Sequence, residues 1–246
     1  MIPNRQNEYS KLSALVTDAR RAGLIDWDAI EDRTRYLRDY PKVSGPAEAI
    51  RAAADSYMID LWEGQPCYIE VWVEKDALVD IVAKACRTYR VPYFSCRGFM
   101  SDSEIYKAGH RMRQQYESGK DVVFLHLGDH DPSGIDMSRD ILQRVELFSG
   151  LSDKIDFQRI ALNMDQIEEL KPPPNPAKET DTRCRAYIER FGPVSWELDA
   201  LSPVILTELI RDTIAQYIDT LAMLSRMEEE REGENYLRNI AENITA

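Results

Sequence analysis

The sequence predicts an α/β fold built on a four-stranded, mostly parallel sheet flanked by helices, and three observations carry that expectation. From residue 66 onward, short apolar runs alternate with amphipathic stretches in the order β-α-β-α-β-α-β. Parallel strands joined by right-handed helical crossovers are the arrangement that buries such a pattern. The run Val122-Val123-Phe124-Leu125-His126-Leu127 is apolar along nearly its whole length, as a strand covered on both faces is. It leads into Gly128-Asp129-His130-Asp131-Pro132-Ser133-Gly134, the residue types of a tight turn that opens into a helix.

In chain order, Tyr9, Leu12, Leu15, Val16 and Ala19 fall at helical spacing within residues 5–22, with Arg20-Arg21 near the end and Gly23 as the stop. Leu24 to Ile30 reads as a short extended segment, followed by Glu31-Asp32-Arg33-Thr34-Arg35. A helix leading into such a segment is how a winged-helix module ends, so residues 1–45 are read as a partial winged-helix-like segment. Arg20, Arg21, Arg33 and Arg35 would then be available to phosphates; the competing reading is a solvated helix face with a polar loop. Residues 41–46 hold two Pro and a Gly and mark a turn, and Ala47 to Leu61 is helical.

Residues 46–165 form the sheet domain. Its first strand, Tyr68 to Val73, ends at Glu74-Lys75, and a helix runs from Ala77 to Tyr89. Val91 to Cys96 is the second strand, closed by Arg97-Gly98. Ser101-Asp102-Ser103-Glu104 is a capping box for the next helix. The third strand is the apolar run above, Ile135 to Leu147 the third helix, and Ile155 to Leu162 the fourth strand. Residues 166–246 begin with a stiff proline-rich stretch, Lys171 to Lys178. A short helix (Thr182 to Phe191) and a short strand (Val194 to Leu198) follow. A long helix then starts at Ser202-Pro203, with Leu206, Leu209, Ile210, Ile214, Ile218 and Leu221 as its apolar stripe. The tail from Glu228 reads as a solvated or frayed helix end.

Apolar content of 43% with 30% charged residues describes a soluble globular chain with a sizeable core. No apolar run approaches the ~20 residues of a membrane helix, and the charged segment after Met1 is unlike a signal peptide. Cys67, Cys86, Cys96 and Cys184 are widely spaced and form no CxxC pair. That pattern argues against a zinc site or a disulfide framework and for a reducing cytoplasm. The net charge of -12 is uneven: residues 1–51 hold nine Lys/Arg and eight Asp/Glu, and the remainder 22 and 35. Any nucleic-acid contact should therefore depend on local basic clusters and bound metal, not on a global field.

In an open parallel sheet the C-terminal strand ends share one edge, where ligands bind. Glu74 ends the first strand and Asp129 follows the third, so neighbouring strands would bring Glu74, Asp129 and Asp131 together. Clustered carboxylates repel and take up protons unless a cation neutralises them. Mg²⁺ or Mn²⁺ answers that need and stabilises charge developing on a phosphodiester. Glu74 is alternatively a general acid or base. The structural alternatives are an ion pair between Glu74 and Lys75 or an arginine, and Asp131 as a helix N-cap. Glu70 reads as an acid paired inside the fold, His126 as a core histidine and His130 as a packing or hydrogen-bonding residue. Glu197 and Asp199 read first as capping or locally paired residues, and secondly as support for the metal site.

Val73-Glu74-Lys75, Arg97-Gly98-Phe99 and Leu127-Gly128-Asp129-His130-Asp131-Pro132-Ser133-Gly134-Ile135 together resemble the TOPRIM domain. They are most similar to its version in the A subunit of topoisomerase VI and the related meiotic double-strand-break proteins. The resemblance spans roughly residues 66–165, with three motifs in order on the expected elements. It implies a Rossmann-like TOPRIM domain in which Glu74, Asp129 and Asp131 bind Mg²⁺ (or Mn²⁺), with Glu74 and Lys75 as catalytic residues. It also implies DNA as the substrate. A homodimer is the expected working form and Arg97 a further candidate DNA contact; Lys178 and Arg183 would clamp a DNA backbone, unless the proline-rich stretch is simply a stiff loop packed over the sheet.

The family cuts DNA with a tyrosine in an Arg-x-x-Tyr-Tyr-like helix. Tyr9, within Asn7-Glu8-Tyr9-Ser10, does not match that motif. Either an upstream segment or partner supplies the tyrosine, or water is the nucleophile. The readings left open are a DNA-cleaving protein of this type, a hydrolytic TOPRIM nuclease, and a non-catalytic DNA-binding or assembly module. A flavodoxin-like or receiver-type domain is a weaker structural alternative.

Overall fold

The structure is a computed structural model and describes residues 6–30, 37, 39, 40, 42–177 and 181–245. Arg33, Arg35 and Lys178 lie outside the described residues. The chain divides into two units, Met1–Ala49 and Ile50–Ala246.

In the first unit, α1 (Gln6–Arg21) follows the expected helical spacing and ends before Gly23. The segment expected to be extended after it carries a 3-10 turn at Trp27–Ala29 instead. The cause is local: the Asp26 carboxylate accepts the Asp28 amide at 3.0 Å, a side-chain turn that competes with strand geometry. No strand occurs among the described residues of this unit, so the winged-helix expectation gains nothing from them. The boundary between the units falls within α2 (Pro46–Asp55). This helix stops at Asp55 and not at Leu61; beyond it the Asp60 carboxylate accepts the Trp62 amide at 2.8 Å and turns the chain.

The second unit is an α/β structure around a four-stranded, all-parallel sheet of order β2-β1-β3-β4. Its strands are β1 (Cys67–Val73), β2 (Tyr93–Ser95), β3 (Asp121–Leu127) and β4 (Ile155–Ala161). Alternation along the strands sorts the side chains between two cores. Ile69, Val71 and Val73 of β1 and Val123, Leu125 and Leu127 of β3 point to one face. There they meet α3 (Val79–Arg87) and α8 (Pro203–Ala215). Trp72, Val122 and Phe124 point to the other face, against α4 (Asp102–Glu117) and α5 (Pro132–Ser149). Each fully buried aliphatic or aromatic side chain contributes roughly 1.5–3 kcal/mol, so the two helical layers hold the sheet from both sides.

Strand order also fixes where a site can lie. From β1 the chain leaves toward α3 on one face, and from β3 it leaves toward α5 on the other. The seam between β1 and β3 is therefore the switch point of the sheet, where diverging loops open a crevice.

Glu70, in the middle of β1, accepts from Tyr68 Oη (2.7 Å), Trp72 Nε1 (2.8 Å) and Arg111 Nε and Nη2 (3.0 and 3.1 Å). Four donors satisfy its buried carboxylate, as expected for an acid paired inside the fold.

Beyond β4, a helix that the sequence pattern did not suggest, α6 (Met164–Leu170), is fixed by a capping box between Asn163 and Gln166. The proline-rich stretch contributes β5 (Asn175–Pro176), which pairs antiparallel with β6 (Val194–Ser195) on the far side of α7 (Cys184–Phe191). The stripe expected to run to Leu221 breaks earlier. Leu206, Ile210 and Ile214 are buried, α8 ends at Ala215, and Leu221 is 81% exposed at the start of α9 (Thr220–Thr245). Glu228 to Glu230 lie within α9 and not in a frayed end. Glu230 accepts from Arg90 Nη2 at 2.6 Å and from the Ile59 amide at 2.8 Å. The four cysteines are buried and unbridged. Among the described residues no helix is long and apolar enough to cross a membrane.

Candidate functional site

Glu74 and Asp129 meet at the β1/β3 seam because those strands run in register, with Val73 opposite Leu127. The Glu74 amide extends the ladder by donating to Leu127 O at 2.9 Å, and Glu74 Oε2 accepts the Asp129 amide at 2.9 Å. Two glycines make that approach possible. A Cβ on Gly128 would stand 3.0 Å from Glu74 Oε2, and one on Gly134 would stand 3.0 Å from the same atom and 2.3 Å from Asp129 O. The glycines of the turn thus serve close approach to a carboxylate, beyond the general freedom of a turn.

Asp131 has the capping role that its position before Pro132 suggests. Its Oδ1 accepts the Gly134 amide at 2.7 Å and Ser133 Oγ at 3.0 Å, starting α5. Asp129 has both oxygens engaged: Oδ1 accepts the Leu198 amide at 2.7 Å, and Oδ2 lies 3.3 Å from Lys75 Nζ. Lys75 does not pair with Glu74. Its ammonium also reaches Glu197 Oε2 (3.0 Å) and Asp199 Oδ2 (3.2 Å). The loop after β6 therefore delivers two further acids to this edge, paired with a distant lysine and not locally as expected. Burial opposes the charge on Lys75, and Asp129, Glu197 and Asp199 overcome it, so the ammonium is held above its ordinary range.

A cation from β4 sits behind these acids. Arg159 Nη2 donates to Gly128 O (2.8 Å) and Asp129 O (2.5 Å), and Nη1 donates to Gly134 O (3.1 Å) and to Ser138 Oγ. Burial lowers its pKa to about 10, against the pull of Glu74, Asp129 and Asp131. Sequence reasoning passed over Arg159. The available signal was an arginine inside a buried strand, which requires charged or carbonyl partners nearby.

Burial and crowding favour the neutral forms of Glu74 and Asp129. Burial, then the neighbouring Asp129, push Glu74 up to about 7, although the Asp129 amide opposes the shift. Burial raises Asp129 too, with the Leu198 amide and Lys75 pulling it back. The hydrogen bonds engage Glu74 through Oε2 and Asp131 through Oδ1. Among the described residues, Glu74 Oε1 and Asp131 Oδ2 take no hydrogen bond, and no group of three His, Cys, Asp or Glu side chains forms a ready metal cage. Hard carboxylate oxygens, two of them uncommitted, suit a cation that keeps most of its water and takes one or two carboxylates from the protein. Mg²⁺ is such an ion.

The two histidines behave as structural residues. His126 is fully buried with Nδ1 3.0 Å from Ser138 Oγ, and burial depresses its pKa to about 3. His130 lies 2.8 Å from Tyr187 Oη, which also donates toward His130 O (2.9 Å). The backbone of His130 exchanges two 2.9 Å hydrogen bonds with Trp196. Of the other expected DNA contacts, Arg97 is exposed at the same sheet edge, with a φ of +53° and Nε 3.0 Å from Asp76. Arg20 and Arg21 belong to the first unit. Arg20 donates to Trp27 O and Ile30 O and stacks on the Trp27 ring, while Arg21 lies 3.6 Å from Asp18.

Comparison with protein-family models, curated proteins and solved structures returned no match.

Proposed function

We propose that this chain is a Mg²⁺-dependent DNA-processing protein, similar in kind to the TOPRIM domain of the topoisomerase VI A subunit, that acts on phosphodiester bonds at the β1/β3 seam. The observation that carries the reading is the position and state of Glu74. It lies at the switch point of a parallel sheet, is tied to the amide of Asp129, and titrates near 7 beside a second and a third acid. A divalent cation held by Glu74, Asp129 and Asp131 would supply charge stabilisation for a pentavalent phosphoryl centre. In this reading Glu74 and Asp131 offer their uncommitted oxygens, and Asp129 is oriented by the Leu198 amide. Lys75, fixed by Glu197 and Asp199, presents a positive charge to a phosphate oxygen. Arg97, exposed at the same edge, is placed to contact the DNA backbone.

A hydrolytic nuclease is the second reading, and Tyr187 favours it. It is the tyrosine tied to the acidic loop, yet it is buried and its hydroxyl is engaged by His130 and Val194. Burial raises its pKa further, so it is unsuited to attack a phosphate. With water as nucleophile, Glu74 would serve as the general base in place of a metal ligand.

Incubation of the full chain with supercoiled plasmid and Mg²⁺ or Mn²⁺, followed by denaturation, separates the readings. Nicked or linear DNA free of protein supports hydrolysis, and DNA that carries covalently bound protein supports a tyrosine nucleophile. Salt-dependent binding without any product under either metal supports a binding module and refutes the enzymatic proposal.

A further inference from the structure

Arg159 carries no role in the reading above, yet the loop that bears the acids hangs from it. Its two terminal nitrogens grip the carbonyls of Gly128, Asp129 and Gly134, which bracket both aspartates, and Nη1 adds Ser138 Oγ on the first turns of α5. The Cβ position of Gly128 lies 3.0 Å from both Arg159 Nη1 and Glu74 Oε2, so these two atoms are no more than about 6 Å apart. β4 carries Arg159 beside His126 of β3 in the sheet register. The guanidinium therefore reaches the loop from β4, whereas Lys75 reaches Asp129 from the end of β1.

We infer that Arg159 is the positioning residue of this site. By fixing the backbone from Gly128 to Gly134 it sets the positions from which Glu74 and Asp131 would present their uncommitted oxygens to a cation, and hydrogen bonding is its dominant contribution, ahead of charge. The inference rests on the metal reading of the site. A guanidinium is needed because its planar fork holds several separated acceptors at once. The single ammonium of lysine keeps the charge but cannot span carbonyls from residues 128 to 134. Charge alone would act in the opposite direction, since a cation behind the acids competes with a bound metal ion.

Two measurements on Arg159→Lys and Arg159→Met test this. The first is amide hydrogen exchange in the metal-free full chain. The Asp129 and Gly134 amides, which report the Glu74 and Asp131 carboxylates, are expected to exchange at least tenfold faster in both variants. The Val71 amide, bonded to Pro92 O in the β1/β2 ladder, is expected to be unchanged. The second is Mn²⁺ binding followed by electron paramagnetic resonance, with affinity expected to fall at least tenfold in both variants. If Arg159→Lys matches the wild type in both readouts while Arg159→Met binds Mn²⁺ more tightly, charge governs and the inference is overturned. Acceleration of Val71 together with the site amides overturns it as well, since that is general loss of stability. A wild-type chain that binds no Mn²⁺ sinks the metal reading, and the exchange pattern still decides whether Arg159 positions the loop. Should these two variants not fold, Arg159→Gln, which drops the charge and keeps a single donor arm, carries the test: at least tenfold faster exchange at Asp129 and Gly134 is expected, and wild-type exchange there contradicts the inference.

Discussion

The Asp129 amide donates to Glu74 Oε2 at 2.9 Å across the seam of two parallel strands. This one bond joins residues far apart in sequence and brings their two carboxylates to one edge, where burial and mutual repulsion raise Glu74 against the pull of the bond itself.

Gly134→Ala places a methyl group 2.3 Å from Asp129 O and 3.0 Å from Glu74 Oε2. The obstructing atom at 2.3 Å is backbone, which cannot swing aside, so the loop must move. Overpacking of this kind costs roughly 1–3 kcal/mol. Thermal unfolding should show a lowered midpoint, and any metal-dependent activity should fall further than the stability loss explains. Gly128→Ala, whose Cβ meets only side-chain atoms at 3.0–3.1 Å, should be the milder change.

Glu74 links stability to pH. Its carboxyl titrates near 7 in the folded chain against an ordinary 4.5, so the folded state holds the proton more tightly than the unfolded one. The Glu74 contribution to metal-free stability should be fully present below 4.5 and be lost as pH rises through 7, by about 3 kcal/mol in all. Glu74→Gln removes that slope and retains an acceptor for the Asp129 amide. Urea denaturation should find the variant more stable than the wild type above pH 7 and similar to it near pH 4.5. Added Mg²⁺ should narrow the gap at high pH.

Arg111 donates two of the four hydrogen bonds that satisfy the buried Glu70 carboxylate. Arg111→Met should destabilise the chain by roughly 2 kcal/mol. That is below the cost of breaking a fully buried pair, because the Arg111 side chain is about half exposed. Glu70→Gln with Arg111→Met should recover part of the loss in a double-mutant cycle of denaturation midpoints. Neither change should affect chemistry at the β1/β3 edge, since Glu70 lies mid-strand.

Much of this architecture was legible in the sequence, for physical reasons. Strands buried on both faces leave long apolar runs, and β1 and β3 were recognisable from them. The adjacency of those strands, which brings Glu74 to Asp129, followed from the crossover pattern. The N-cap at Ser101 and the Pro132 helix start were written in their residue types, and the structure has both. Short-range pattern failed where tertiary contacts decide. The α8 stripe continued on paper through Ile218 and Leu221, but the helix breaks at Ala215 and α9 sets off with its own partners, among them Arg90 for Glu230. The segment after α1 looked extended, but the Asp26 side chain closes it into a turn. Lys75 and Glu74 are adjacent in sequence and looked like a natural ion pair. The lysine reaches instead to Glu197 and Asp199, a contact across more than a hundred residues that no local pattern encodes. Arg159 stayed hidden because three of its four acceptors are backbone carbonyls, which every residue possesses.

The central claim is that the acids at the β1/β3 seam hold a divalent cation and act on DNA. Its most direct test is the rate at which the full chain converts supercoiled plasmid under saturating Mg²⁺ or Mn²⁺, compared with Glu74→Gln and Asp129→Asn proteins shown by circular dichroism to be folded. Metal-dependent conversion is expected of the wild type, with a loss of at least about 100-fold in each variant, the scale on which removal of a charge-stabilising group acts. Conversion that persists in the variants, or no conversion by the wild type with either metal, would contradict it.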